Sequence, residues 1–540
     1  MMIPIRYLVK HKHVLLAPML ALSLLSCGGG GSVSLSASAG AGNAGGTSTT
    51  AVSATTTSTS STTTVPDNEA NVYSAPTSYR IDFCSANVYP AQWTWNPDTI
   101  RQQAAPAGTG TPMMKQIRNG VVIATYTSLG GDAGYSRPNS QDGGDPAVGP
   151  FRRTPYTQWR DGDVFEIYPA VYSGATMQMY IGPNVANDAA FNAGSVDVPA
   201  NITIRGVTVD GKRPVIVNPP TGASNSNYGQ SLIYIGGRID ASDTLVAPSS
   251  SITIENIDIV DAPTGGNLGK AAVYVNGTAN LTLRNVRIAG FKRHQVNGIF
   301  ATSNNTGTLL LENVELDGNG GSNGPEHNAY INASKTDPNY TFMVKGSWSH
   351  DSYYGHALKS RAQRTVVEGS YLAGSRAASG AQTETYLLDV PDGGVLVARN
   401  NIFVKGYSGN NSNGASLTFG VESANPARAW GLTVEHNTFV ALAKYYDDAS
   451  HPLFPFFINN GAPGTKTVDA NAFVGYCPSG NAGRDYRGTN FATLNFNEID
   501  LAYRPRVPAL AGNIAIIGTP RYRHLAGSAA RTTNALGARD

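Results

Sequence analysis

The chain has 540 residues, with 39 Lys and Arg against 37 Asp and Glu, for a formal net charge of +2. So even a balance excludes nucleic acid as the main partner, since a basic stripe or tail would be needed. With 60 Gly, 14% charged residues and no long apolar helical period, the composition is that of a turn-rich β chain.

The first residues are expected to direct export rather than to fold. A basic start (Arg6, Lys10, Lys12) leads into an apolar run from Val14 to Leu25, too short for a permanent membrane helix. The run ends in LLSC, Leu24 to Cys27, which resembles the bacterial lipobox, where the Cys is acylated and becomes the mature N-terminus. The resemblance implies a signal peptide over residues 1–27, lipidation at Cys27 and, because Gly28 rather than Asp follows, an outer-membrane location. An ordinary signal peptide that ends in Cys is the alternative. Residues 28–66 are Gly, Ser, Thr and Ala with almost no charge, the composition of a flexible tether. A membrane is then a partner only through the anchor. Besides Cys27 the chain has Cys84 and Cys477. In an exported protein they suggest one disulfide between the start of the body and a distant point, with two separate thiols as the alternative.

Residues 67–160 carry scattered aromatics and one helix start, Asn96-Pro97-Asp98, with an N-cap and a Pro in the first turn. This region is expected to cap an open stack of strands, whose edges would otherwise pair with other chains.

From residue 202 a template recurs: ITIRGVTVDG (Ile202), ITIENIDIVDA (Ile252), LTLRNVRIAGF (Leu281), LLLENVELDGN (Leu309), FMVKGSWSHDS (Phe342), TVVEGSYLAGS (Thr365), VLVARNNIFVKG (Val395), LTVEHNTFVALA (Leu432) and KTVDANAFVGYC (Lys466). Alternating apolar positions mark a strand with one buried face, and a polar break with Asn or Gly marks a bend into a second strand. A third apolar run follows each time, as in LIYIGG, AVYVNG, NAYINA, HALKSR and YLLDVP. Three short strands per period predict an all-β parallel β-helix whose coils stack at about 4.8 Å, with Asn at the bends suited to amide stacking. DGDVFEIYPAVYSG, Asp161 to Gly174, resembles the opening coil of the pectate-lyase-like superfamily of right-handed β-helices. ITIRGV and DGKRPVI continue the likeness. It implies one right-handed solenoid over residues 161–477 with an extended tail, 478–540, packed along it. A monomer is expected. The likeness is specific for fold and weak for reaction.

Strict alternation sets the register. Ile233, Ile235, Val273 and Val275 point in, Tyr234 and Tyr274 out. Leu358 and Ser360 point in, Lys359 and Arg361 out. Tyr386, Leu388 and Val390 point in, Leu387 and Asp389 out. Leu417, Phe419 and Val421 point in, Thr418 and Glu422 out. Lys359, Arg361, Asp389 and Glu422 should therefore form one outward column, with His327 and His356 where their strands begin and His350 after a bend near Trp348. A one-residue insertion would disperse it.

Cations beside carboxylates and imidazoles suit β-elimination on a uronate-containing polysaccharide. That reaction needs neutralisation of the sugar carboxylate, a base for the proton α to it, and an acid for the leaving oxygen. Arg361 suits the first through its fork. Lys359 is the candidate base if burial lowers its pKa, with His356 or His327 as acid or alternative base. Tyr330, Trp348, His350 and Asn328 are candidate substrate contacts, together with Tyr353 and Tyr354. Asp389 and Glu422 are candidate Ca²⁺ ligands. β-Helix lyases combine a basic residue with Arg and often Ca²⁺, so the resemblance implies the same chemistry. The strings HNAYI, GHALKSRA and DVPDGG resemble a recurring group of exported bacterial β-helix proteins, which brings no catalytic assignment. Hydrolysis by a carboxylate pair, C5-epimerisation of uronates, and a tethered non-catalytic glycan-binding or structural β-helix are the rivals. His294, His436 and His451 read as turn or packing residues.

Overall fold

The computed structural model describes residues 110–494, except 131–148, 152–159, 175–176, 183–200, 219–230, 241, 263–264, 267, 295, 322–324, 375–383, 406–414, 423–427, 442–453, 460–462, 470, 475 and 477–490. The chain divides into two units, Met1–Asn71 and Val72–Asp540, and every described residue belongs to the second. The export signal, Cys27, the tether, Asn96 to Asp98, Cys84, Cys477, His451 and all of the tail but the strand Phe491–Leu494 lie outside the described residues. No helix among the described residues is long and apolar enough to cross a membrane.

Three sheets run the length of a right-handed parallel β-helix. Among the described residues sheet 1 has 12 strands and ends on Thr465–Asp469, sheet 2 has 11, and sheet 3 has 9. A two-stranded ribbon, Arg238–Ile239 with Leu245–Ala247, lies apart from them. From the coil that begins with Val164–Ile167 to the one that ends with Phe454–Ile458, each coil contributes one strand to each large sheet. One coil thus runs Thr341–Lys345, Trp348–His350, Leu358–Ser360, and the next Arg364–Glu368, Tyr371–Ala373, Tyr386–Val390. At one end of sheet 1 the hairpin Met114–Arg118 and Val121–Tyr126 pairs antiparallel with Val164–Ile167.

The corner from sheet 1 to sheet 2 explains the recurring Asn or Gly. One residue there takes a left-handed conformation: Asn256 (φ 58°), Asn285 (52°), Asn313 (52°), Gly346 (51°), Gly369 (55°), Asn400 (55°) and His436 (55°). An ordinary side chain pays about 1–2 kcal/mol for that region, whereas Gly does not and Asn tolerates it. His436 is thus a turn residue, as its sequence context suggests. The next position points inward, and late in the stack it forms an amide ladder. Asn401 Nδ2 donates to Asn437 Oδ1 at 3.0 Å, and Asn437 Nδ2 to Asn471 Oδ1 at 3.0 Å.

The core is made of aligned apolar positions. In sheet 1, Ile204, Ile254, Leu283, Leu311, Val344, Val367, Ala398, Val434 and Val468 sit coil over coil. In sheet 2, Phe403, Phe439 and Phe473 stack with centroids 4.6 and 5.4 Å apart. In sheet 3, Ile233, Val273, Ile299, Ala329, Leu358, Leu388 and Leu417 align, and all are fully buried. Each larger side chain so buried stabilises the fold by about 1.5–3 kcal/mol. In sheet 3 the expected inward and outward positions hold for Ser231–Gly236, Ala271–Asn276, Leu358–Ser360 and Ala415–Phe419 but not for Tyr386–Val390. Leu387 and Leu388 are both in the core, while Tyr386 is half-buried and stacks on His356. The strand starts at a corner, where the pleat has not yet set in, so Leu387 and Tyr386 exchange their expected sides.

Candidate functional site

On the outward side of sheet 3 one column runs Tyr180, Tyr234, Tyr274, Phe300, Tyr330, Lys359, Asp389, Thr418. The expected alignment of Lys359 with Asp389 is therefore present. Lys359 Nζ lies 3.0 Å from Asp389 Oδ2 and 2.8 Å from Glu422 Oε1. Arg361 forks between Asp392 and Glu422, and its Nε donates to the Tyr330 hydroxyl at 3.1 Å. Arg428 stands 4.0 Å from Asp392.

A second column, one corner earlier, holds the imidazoles. His327 and His356 are stacked 4.5 Å apart at 10°, and Tyr386 continues the stack at 5.0 Å. His327 Nδ1 accepts the backbone N–H of His356 at 2.8 Å, and His356 Nδ1 accepts that of Tyr386 at 3.3 Å. These bonds assign the ring proton to Nε2 in both residues. His356 Nε2 reaches Asp389 Oδ2 at 3.2 Å.

The charges follow from these contacts. Burial, with His356 and Lys359 close by, drives His327 well below the usual histidine value. Burial lowers His356 too, although Asp389 opposes it. Both are neutral donors at pH 7. Burial would lower Lys359, but Asp389 and Glu422 outweigh it and the net shift is upward, so Lys359 is an ammonium and not the neutral-pH base that its sequence position suggested. Burial would raise Asp389, but His356, Lys359 and the Thr418 hydroxyl hold it far below the carboxylate range. Glu422 is likewise lowered, burial being overcome by Lys359 and Arg361.

Three expected contacts fall elsewhere. Asn328 is fully buried and its amide is used inside the coil, donating to Ser349 Oγ at 3.1 Å and His350 O at 2.8 Å. It holds the corner beneath the imidazoles and does not reach the face. Trp348 and His350 lie on sheet 2, ring over ring at 3.8 Å. There His350 Nε2 meets Glu315 Oε1 at 3.1 Å and Nδ1 meets Asp351 Oδ2 at 2.7 Å. Burial alone would lower His350, but Asp317, Asp351 and Glu315 raise it to about 10. His294 packs against Asp261 at 3.0 Å. Tyr353 and Tyr354 are half-buried.

Neither acidic group fits a metal ion. Between Asp389 and Glu422 the Lys359 ammonium already stands where Ca²⁺ would have to go. Glu315, Asp317 and His350 offer ligand atoms within 4.8 Å of one another. However, Arg287 bonds Asp317 at 2.7 Å and lies 3.3 Å from Glu315. A divalent ion would have to expel a cation from either place.

Thr418 completes the sheet 3 face as expected, whereas Asp392, Tyr386 and Arg428 also lie on it and were not expected there. Asp392 had a signal, a carboxylate in the turn just past the Asp389 strand. Arg428 had none, because it reaches the face from a loop. The aromatic run from Tyr180 to Tyr330 is a ladder, with neighbouring centroids 4.4, 5.6, 5.6 and 5.4 Å apart. Where the rings lie nearly parallel, Tyr180 with Tyr234 (9°) and Tyr274 with Phe300 (12°), their faces are spent on each other.

Fold and face together define a right-handed parallel β-helix protein with an ion-paired ammonium–guanidinium centre beside two neutral imidazoles. No family model and no curated protein matches the chain. Among solved structures, a complex of XylC with xylose is similar at 11% identity and a TM-score of 0.27, over 60% of this chain and 53% of that one. The Streptococcus pneumoniae surface protein and adhesin PfbA is similar at 10% identity and a TM-score of 0.28, over 56% of this chain and 84% of that one. The chain thus spans about half the length of XylC. Likeness at this level does not indicate what the chain binds or does.

Proposed function

We propose that the sheet 3 face binds an acidic, uronate-containing polysaccharide and cleaves it by β-elimination. The observation that carries this reading is the state of the ionisable groups. Two permanent cations, Lys359 and Arg361, share one rim with uncharged N–H donors, while both nearby carboxyls are held ionised. A two-carboxylate hydrolase needs one of its pair protonated, and neither Asp389 nor Glu422 can supply that proton at neutral pH.

In the proposed reaction Arg361 and Lys359 take the sugar carboxylate and stabilise the charge that develops as the α proton leaves. The Tyr330 oxygen, oriented by Arg361, accepts that proton as the Tyr330 hydroxyl gives its own to the leaving oxygen. The electron pair forms the new carbon–carbon double bond, and the bond to the leaving oxygen breaks. Nε2–H of His327 or His356 hydrogen-bonds that oxygen. Asp389 keeps Lys359 and His356 in place. On the same proposal the protein is exported and anchored by lipid at Cys27, acting as a monomer at the outer membrane.

The test is to incubate the protein with a panel of polyuronates and neutral polysaccharides while following the absorbance of a conjugated double bond and the release of reducing ends. Absorbance with a polyuronate, lost in Tyr330→Phe and Arg361→Ala, supports the reading. Reducing ends without absorbance mean hydrolysis. Binding without either product means a carbohydrate-binding surface.

A further inference from the structure

Of the anions on the sheet 3 face, Glu422 differs from the others in one respect. Asp389 and Asp392 have side-chain exposures of 1% and 13%, whereas that of Glu422 is 45%. Asp389 is enclosed by His356, Lys359 and Thr418. Glu422 makes two side-chain contacts, one oxygen on Lys359 at 2.8 Å and the other on Arg361. One carboxylate thus spans both cations, one oxygen each. The carboxylate of a sugar acid would have to take the same two positions.

We propose that Glu422 is a built-in competitor for the substrate's carboxylate: a hexuronate residue binds by displacing it from Lys359 and Arg361. This inference rests on the reading of the face as a uronate site and adds how that site is kept when empty. The electrostatics explain why a competitor is useful. Lys359 has a side-chain exposure of only 9% and Arg361 of 20%, so without Glu422 these half-desolvated cations would keep one carboxylate each, Asp389 and Asp392, and lose the one that bridges them. An exposed carboxylate is the cheapest anion to move, since ion pairs at the rim are worth little. A neutral sugar has nothing to offer the cations in exchange for Glu422 and is rejected. Displacement therefore gives selectivity for acidic sugars at a cost in affinity.

Ligand-observed NMR titrations of the full chain with D-galacturonate and D-glucuronate, and with D-galactose and D-glucose as neutral controls, test this. Wild type should bind at least one uronate and neither control. Glu422→Gln, which keeps the shape and loses the charge, should bind the same uronate about two- to fivefold more tightly, as expected for an exposed pair worth up to about 1 kcal/mol. Arg361→Ala should not bind it. Uronate binding by wild type with an unchanged or weakened Glu422→Gln would overturn the competitor role and leave the uronate site standing. If neither protein prefers a uronate to the neutral sugars, the uronate site falls and the competitor role with it.

Discussion

His350→Gln isolates one buried charge. In the folded protein the imidazole sits between Glu315, Asp351 and Asp317, and its pKa is raised from 6.5 to about 10. A folded value above the unfolded one means that the protonated ring stabilises the fold fully below pH 6.5. That contribution declines by about 1.4 kcal/mol per pH unit above 6.5 and is gone once the pH has passed about 10. The full span is on the order of 5 kcal/mol. Unfolding entropy near 2.1 cal/mol/K per residue over roughly 400 residues converts this to a melting-temperature change of about 6 °C. Thermal melts of wild type and His350→Gln, followed by circular dichroism from pH 6 to 10.5, read the difference directly. Other groups titrating in this window cancel in the comparison. The wild-type advantage should be largest at pH 6 and should shrink by about 6 °C toward pH 10.5. A gap that stays constant across the range would show that His350 is neutral in the fold and that the network is wrongly charged.

Further outcomes follow from the same structure. Asn313→Gly, at a left-handed corner (φ 52°), should leave the melting temperature within error or raise it, while Asn313→Val should destabilise by about 1–2 kcal/mol in urea titrations. Asn437→Ala removes the partner of the Asn401 amide and of its own inward neighbours and should cost about 1–3 kcal/mol by the same measurement. Asp389→Asn removes the carboxylate that holds His356 up, so the His356 ring proton, followed by NMR, should titrate at a still lower pH. Arg361→Lys keeps the charge and loses the fork, and should reduce kcat/KM on a polyuronate by at least about tenfold while the circular dichroism spectrum is unchanged.

The coil architecture was legible because each coil repeats the same physics. Apolar alternation marks each strand, and the left-handed corner demands Asn, Gly or their substitutes, so a template with Asn256, Asn285 and Asn313 at one offset signals itself. Strand register carried Lys359 onto Asp389 for the same reason. The reading failed where a strand meets a corner. Leu387 and Tyr386 changed sides because alternation is a property of an established pleat. Asn328 went inward because corner carbonyls need an amide. Trp348 and His350 were near in sequence to the imidazole strand but belong to a different sheet, and a period of three strands separates neighbours in sequence by a full change of face. The protonation of Lys359 was also out of reach, since it depends on Glu422, 63 residues later, and on how deeply the pair is buried.

The uronate site itself is tested most directly by a crystal structure of Tyr330→Phe soaked with a short oligogalacturonate. The carboxylate of one sugar residue should lie within about 3 Å of both Lys359 Nζ and the Arg361 guanidinium, the range of charge-assisted hydrogen bonds. His327 and His356 should face the glycosidic oxygen, and Glu422 should have swung off both cations. Sugar bound on another face, with Glu422 still bridging Lys359 and Arg361, would contradict the account.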